Sequence, residues 1–467
     1  MKKYSPWCLF MKIFFVITLL ILSGVYSFTS AQEFFIPEKP SVDEVTSVSP
    51  VPAPDVWTYE DCINWAIANN NDVRRSLLAV LEAEENIGMA KDEWLPYFGF
   101  STNQNFTNYP SPPEGQRHNF YGSSYNINAS WTIWEGNIRK YRIESAKLMK
   151  QQQRFAGDDI IKELQLGILQ AYLNIMYSAE AVEIARQSLE VSTAQADRAK
   201  RLMENGRSSK VDYAQIESQK AQDEYNLVQA KSNLATAKVN LKNILNLGLD
   251  YDLNIADIPF EDSEIESYLP SKKDVFEAAM AWLPQFKSNE LNKEIFNYNI
   301  KIAKATYLPN ISLNGGIGAG YNSGGFSWGK QMRQTLNENL GLSLSIPIYD
   351  GNATRRAVTI AKLQALDYDL NNIELRNQLS QTIETLFIES ENARAKYISG
   401  KTQLEATELT DQLVNRQFEL GLVNPLELLT AHNNLLNARL ELLQSKYMAI
   451  LSNKTITYYS TMRIDMP

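Results

Sequence analysis

The sequence is poor in the side chains that most often do chemistry. Its 467 residues hold two cysteines and two histidines. Cys8 lies near the N-terminus and Cys62 has no second cysteine after it, so stability is expected from packing or assembly and not from a disulfide. His118 falls in an expected surface loop. His432 falls on an expected helix beside Asn433 and Asn434. Neither has a Cys, Asp or Glu at the spacing of a zinc site, and no metal or cofactor is expected. Basic charge is also short: 45 Lys and Arg against 54 Asp and Glu give a formal charge of −9. That balance leaves no footprint for nucleic acid. Beyond the N-terminus no run of 18 residues is apolar, so any passage through a membrane falls to strands and not to helices.

A catalytic set is missing as well. Gly325-Phe326-Ser327-Trp328-Gly329 fits the pattern of serine hydrolases. That motif needs a strand before it and a helix directly after it, whereas here it is expected in a loop between two strands, with no adjacent base for Ser327. Gly316, Gly318 and Gly320 alternate along an expected strand and open no helix, which suits a packed barrel strand better than a phosphate cradle. The chain reads as a non-enzyme.

What the chain does contain is organised from its start. Lys2 and Lys3 precede an apolar run of ten residues, Ile13 to Leu22, and Thr29-Ser30-Ala31 ends in a small residue suited to cleavage. Residues 1–31 read as an export signal, with a run too short to span a bilayer. Residues 32–56 carry Pro37, Pro40, Pro50, Pro52 and Pro54 and read as an extended leader.

The remainder is a tandem duplication. Trp94-Leu95-Pro96 returns as Tyr307-Leu308-Pro309. Ile133-Trp134-Glu135-Gly136-Asn137 returns as Ile348-Tyr349-Asp350-Gly351-Asn352. Arg201-Leu202-Met203-Glu204-Asn205-Gly206 returns as Arg416-Gln417-Phe418-Glu419-Leu420-Gly421. The ordered matches divide the chain into a first repeat at 57–250, a linker at 251–270 and a second repeat at 271–467. Each repeat is expected to run helix, β-hairpin, then two long helices, an α+β plan.

Four strand candidates alternate in polarity. Tyr125, Ile127, Ala129, Trp131 and Ile133 oppose Ser124, Asn126, Asn128, Ser130 and Thr132. Ile311, Leu313, Ile317 and Ala319 oppose Asn310, Ser312, Asn314 and Gly318. Leu340, Leu342, Leu344, Ile346 and Ile348 oppose Asn339, Gly341, Ser343 and Ser345. The first strand is weaker, with Phe98, Phe100 and Phe106 on one parity. Each is about ten residues, the length that a tilted membrane strand needs. Gly136 to Asn205 contains no proline, and about 69 helical residues reach roughly 100 Å, too long for one compact domain. The next helix shows a seven-residue repeat at Ala214, Ala221, Val228 and Ala235, with Leu227, Leu234 and Leu241 as the adjacent row, matched in the second repeat by Leu429, Leu436, Leu443 and Ile450. Four strands cannot close a barrel, so a membrane barrel requires oligomerisation, with two, three and four copies all permitted by the pattern. A periplasmic coiled-coil scaffold without a barrel is the competing reading. It accounts for the heptads and leaves the strands and the duplication unexplained.

The order of elements, the duplicated corners Trp134-Glu135-Gly136-Asn137 and Tyr349-Asp350-Gly351-Asn352, the tips at Gly206 and Gly421, and Leu95-Pro96 with Leu308-Pro309 together resemble the TolC-type outer-membrane efflux proteins over about residues 57 to 461. The resemblance implies a homotrimer. Its twelve-stranded β-barrel in outer-membrane lipid would continue into a long periplasmic α-helical barrel. It implies efflux or type I secretion with a periplasmic adaptor protein and an inner-membrane RND or ABC pump. It places an aperture gate at Glu427, Asp212 and Phe418, adaptor docking at the turns of Gly206, Gly421 and Val423, and strand-helix corners at Gly136 and Gly351. Where the family often has tyrosine, arginine and a second acid, this chain has Phe418, Val423 and Thr430, so the usual closing bonds cannot form.

Overall fold

The proline-free stretches fold into helices of matched length in the two halves. The computed structural model describes residues 54–467 except 116, 267, 268, 324, 326, 465 and 467. The export signal and most of the leader lie outside the described residues. In the first half, α1 (Tyr59–Asn69) and α2 (Asn71–Asp92) lead into strands β1 (Tyr97–Asn108) and β2 (Asn119–Glu135). The long helix α3 (Ile138–Glu204) and α4 (Lys210–Ile244) follow. After a linker with the short helix α5 (Asp262–Glu266), the order returns. It runs α6 (Lys272–Trp282), α7 (Pro284–Ala305), β3 (Asn310–Asn322), α8 (Trp328–Thr335), β4 (Asn337–Ser345), α9 (Ala353–Glu419) and α10 (Pro425–Thr461). Both α3 and α9 have 67 residues, so each is about 100 Å long.

The single helix expected before each hairpin is a pair. Asn70 ends α1 in an extended conformation (φ −70°, ψ 134°) and caps α2, its side chain accepting from the Asp72 N–H at 2.8 Å. Leu283 makes the corresponding break before Pro284, which disfavours helical geometry in the preceding residue.

The strands form one antiparallel sheet in the order β1-β2-β3-β4. Its register puts Phe98, Phe100, Ile127, Ala129, Leu313, Ile317, Leu340 and Leu342 on one face. Ser101, Asn103, Asn126, Asn128, Asn314, Gly316, Gly318 and Asn339 lie on the other. The apolar face is bare: Phe100 is 68% exposed and Leu342 69%. Twelve residues of β1 extend about 40 Å, and a tilt of about 45° reduces this to about 28 Å, close to the hydrocarbon thickness of a bilayer. Among the described residues no helix is long and apolar enough to cross a membrane.

Two of the expected strand patterns run too far. A bulge follows Thr132, so that Trp134 and not Ile133 stands opposite Ile311 and the alternation breaks before the corner. β4 stops at Ser345, two residues before Pro347, which has no N–H for a ladder; Ile346 and Ile348 lie beyond it. The β3–β4 connection also carries a helix where a plain loop was expected. Ser327 is the residue before α8, exposed and without a side-chain cap bond.

The main core lies part-way along the long helices. There Ile168, Leu169, Tyr172 and Ile175 of α3 meet Trp57, Tyr59, Leu241, Leu245 and Ile450. The linker belongs to this core: Trp57 pairs with Ile255 as a parallel bridge, donating its N–H to Asn254 at 2.8 Å. Cys62 is fully buried here, and burial pushes its thiol up to about 12. The heptad reading of α10 matches the packing at Leu443 and Ile450, which are buried. In α4 the adjacent row meets the protomer's own core at Leu234 and Leu241, whereas Ala214, Ala221, Val228 and Ala235 face away from the protomer's own helices. The buried positions of α4 also include Ile216, Gln219, Asp223 and Ala237.

Candidate functional site

Two regions carry the sequence-derived site residues: the corners where strand becomes helix and the tips where each long helix reverses.

At the first corner Gly136 (φ 63°) and Asn137 (φ 66°) are successive left-handed residues; at the second, Gly351 (φ 67°) and Asn352 (φ 66°) repeat this. Glycine takes that conformation freely and asparagine tolerates it, which explains the Gly-Asn pair in both repeats. The two glycines differ in surroundings. A methyl group on Gly136 would lie 2.7 Å from the Ala305 carbonyl oxygen and 2.9 Å from Leu308 Cβ, whereas Gly351 has nothing within 4 Å.

Arg139, which sequence reasoning passed over, fastens the first corner. It is buried, donates to the carbonyls of Glu93 (3.1 Å) and Ile133 (2.9 Å), and stacks 4.2 Å from the Trp94 ring. Trp131 donates to the Trp94 carbonyl at 2.9 Å, so strand, preceding turn and helix are joined. In the second repeat Thr354 takes the place of Arg139, and its N–H donates to Asp350 at 2.8 Å.

At the tips, Gly206 (φ 69°) and Gly421 (φ 73°) turn the chain after α3 and α9. Asp212 and Glu427 occupy the same position three residues into the returning helices. Asp212 accepts from the Ser209 N–H at 3.1 Å while its own N–H donates to Ser209 Oγ at 3.0 Å. Hydrogen bonds from Ser209 and Ser208 hold its carboxyl below the usual carboxylate range. Glu427 donates its N–H to Asn424 Oδ1 at 3.0 Å and accepts from Asn424 Nδ2 at 3.1 Å. Both carboxylates thus sit at helix N-termini, where the exposed N–H groups favour negative charge. Phe418 packs half-buried beside Ala196, Ala199, Ile216 and Leu428, and Val423 is half-buried in the turn.

A polar ladder joins the two hairpins near these tips. Arg198 pairs with Glu419 at 3.0 Å, and Gln195 donates to Asn415 Oδ1 at 2.8 Å. Gln219 donates to Asn433 at 3.3 Å. Arg416 and Arg198 bond the Glu419 carboxyl and keep it below the usual range. The buried rung is His432, whose Nε2 lies 3.0 Å from Asp223 Oδ2 and 2.9 Å from Ser188 Oγ. An ionised carboxylate only accepts, so Nε2 carries the proton. Burial pushes the Asp223 carboxyl up. The hydrogen bonds of His432, Ser192 and Gln219, with the attraction of His432, outweigh that and hold it low. Asp223 and His432 are 209 residues apart, which is why neighbours in the sequence gave no signal. This ladder ties the hairpins although Phe418 lacks a hydroxyl.

Among the described residues no cluster of three or more His, Cys, Asp or Glu side chains could hold a metal ion. A bare apolar sheet face, a polar opposite face and helices that continue from the strands define a membrane channel subunit. The comparisons agree. The outer membrane efflux protein family matches residues 62–247 and 276–458, and the chain belongs to that family. Toxin and drug export protein A of Aggregatibacter actinomycetemcomitans is 21% identical over 425 residues, 87% of this chain and 88% of that protein. The crystal structure of CusC has a TM-score of 0.66 at 19% identity, covering 92% of this chain and 98% of that one. The CmeC outer membrane channel of Campylobacter jejuni has a TM-score of 0.65 at 17% identity, covering 94% and 95%. The protein is therefore a TolC-type outer-membrane channel subunit of the efflux and secretion class, and the scaffold reading is set aside.

Proposed function

We propose that three copies assemble into one conduit, twelve strands forming the membrane barrel and the paired long helices a periplasmic tube. The observation that supports closure by several copies is the sheet, four strands with one bare apolar face and two unpaired edges, β1 and β4, while the number three rests on the family resemblance. An open edge in lipid leaves N–H and C=O groups without partners at several kcal/mol each, so β4 of one copy pairs with β1 of the next. The duplication gives each repeat one hairpin and one long helical pair, which continue the barrel into the tube. Glu427, with Asp212 and Phe418 beside it, lines the constriction at the helix tips. The turns at Gly206, Gly421 and Val423 meet a periplasmic adaptor, and an RND or ABC pump in the inner membrane supplies the driving force. Neither histidine is hydrogen-bonded to Ser327: His118 Nδ1 lies 3.1 Å from the Tyr109 carbonyl, and His432 bonds Asp223 and Ser188.

Planar-bilayer conductance of the detergent-extracted protein, with its mass measured in the same detergent, tests this. Discrete channels from a species of three chains are expected. A monodisperse single chain that forms no channels would overturn the proposal.

A further inference from the structure

Beyond its corner end the polar face of the sheet carries no charge. In the four strands the only charged residues are Glu135, which stands opposite Asn310 at the corner end of that face with Arg139 and Arg142 3.8 Å away, and Glu338, which pairs with Ile317 on the apolar face. In place of charge there is an ordered set of amides. The register aligns Asn126, Gly318 and Asn337 in one row and Gly99, Asn128, Gly316 and Asn339 in the next. The glycines of β3 leave room that the asparagines fill. A methyl group on Gly318 would lie 2.5 Å from Asn126 Oδ1. One on Gly316 would lie 2.9 Å from Asn339 Oδ1 and 3.3 Å from Asn128 Oδ1. Four amides therefore converge over a two-glycine floor. An aromatic ring stands beside them: Tyr97 is on the same face, 69% exposed, and its ring lies over Gly99, 3.0 Å from where a methyl group would be.

The chemistry of this patch is selective. Each amide offers two donors and an acceptor, and each sugar hydroxyl offers a donor and acceptors, so the two can satisfy each other fully. A charged solute uses half of each amide and finds no counter-charge for the water it sheds. An exposed aromatic ring adds an apolar platform for the C–H face of a sugar. We propose that the barrel interior is a binding surface for neutral, hydroxyl-rich chains of the oligosaccharide class, formed by Tyr97, Asn126, Asn128, Asn337 and Asn339. This rests on the barrel of the proposed conduit, in which the polar face lines the lumen.

The test adds maltohexaose to the loop side of single channels in a planar bilayer, so that the probe reaches the barrel without passing the helix tips. Polyethylene glycol of equal hydrodynamic size is the control for exclusion by volume. Maltohexaose is expected to reduce the current in a saturable manner at concentrations where the glycol does not. Tyr97→Ala, and separately Asn128→Ala with Asn339→Ala, should each weaken that effect about fivefold or more, read as the fractional reduction of each variant's own conductance in salt. Channels that respond equally to sugar and glycol would overturn the sugar site and leave the conduit standing. So would a sugar effect unchanged in both variants. Absence of channels would remove the conduit, and the sugar site with it.

Discussion

The buried His432–Asp223 pair allows a quantitative test of how the hairpins are held together. Asp223 is fully buried and His432 is 4% exposed. Truncating His432 to alanine leaves a buried carboxylate without its main partner, a change that costs about 3–5 kcal/mol in comparable pairs. Gln219 still donates to Asp223 at 3.1 Å, and Ser192 also bonds it, so the lower end, about 3 kcal/mol, applies. Asp223→Asn keeps the shape and removes the charge, and should cost about 1 kcal/mol. In the double variant no buried charge is stranded, and the loss should fall below the sum of the two by about 1–2 kcal/mol. Hydrogen exchange of α4 and α10 amides near the tips, read as local opening free energy, measures this. Losses that add to within about 0.5 kcal/mol would show that the pair is not coupled and would refute the reasoning. The pH dependence has a definite sign. Asp223 is held below its unfolded value, so its contribution is fully present above about pH 4 and is lost as pH falls through the folded value. The tips of the wild type should loosen in that range more than those of Asp223→Asn.

Three further outcomes are expected. Gly136→Ala should destabilise by about 2–4 kcal/mol, combining left-handed strain with the overlap at Ala305 and Leu308, against about 1 kcal/mol for Gly351→Ala, in thermal unfolding of the extracted protein; equal losses would contradict the steric account. Asp411 is buried with Oδ1 unpartnered, and burial raises its carboxyl despite His432, Asn415 and Arg439, so Asp411→Asn should stabilise by about 1 kcal/mol at pH 7 and by little below pH 4, where the acid is protonated. Glu427→Ala should raise single-channel conductance and reduce block by divalent cations; unchanged conductance and block would remove Glu427 from the constriction.

Much of the architecture was legible because it rests on local periodicity. Alternation at Leu340, Leu342 and Leu344 marks a two-faced strand in any setting, since successive side chains point to opposite sides. The proline-free run from Gly136 to Asn205 marks a long helix, and the Gly-Asn corners mark left-handed turns because few other residue pairs adopt them. The break at Leu283-Pro284 was also there to be read, in the restriction that proline places on the residue before it.

The sequence alone determined the duplication, the presence of four strands and two long helices, and the glycine turns at the corners and tips, because each of these is set by residues within a few positions of one another. Tertiary structure alone decided which face of each element is covered. Within one protomer the Ala214 row is left uncovered, while the covered side of α4 passes through Gln219, Asp223 and Leu241. It also decided the bulge after Thr132, the fastening of the corner by Arg139 and the pairing of His432 with a carboxylate 209 positions away. These depend on which elements meet across the fold, and neither the spacing of residues nor their order along the chain encodes that meeting directly.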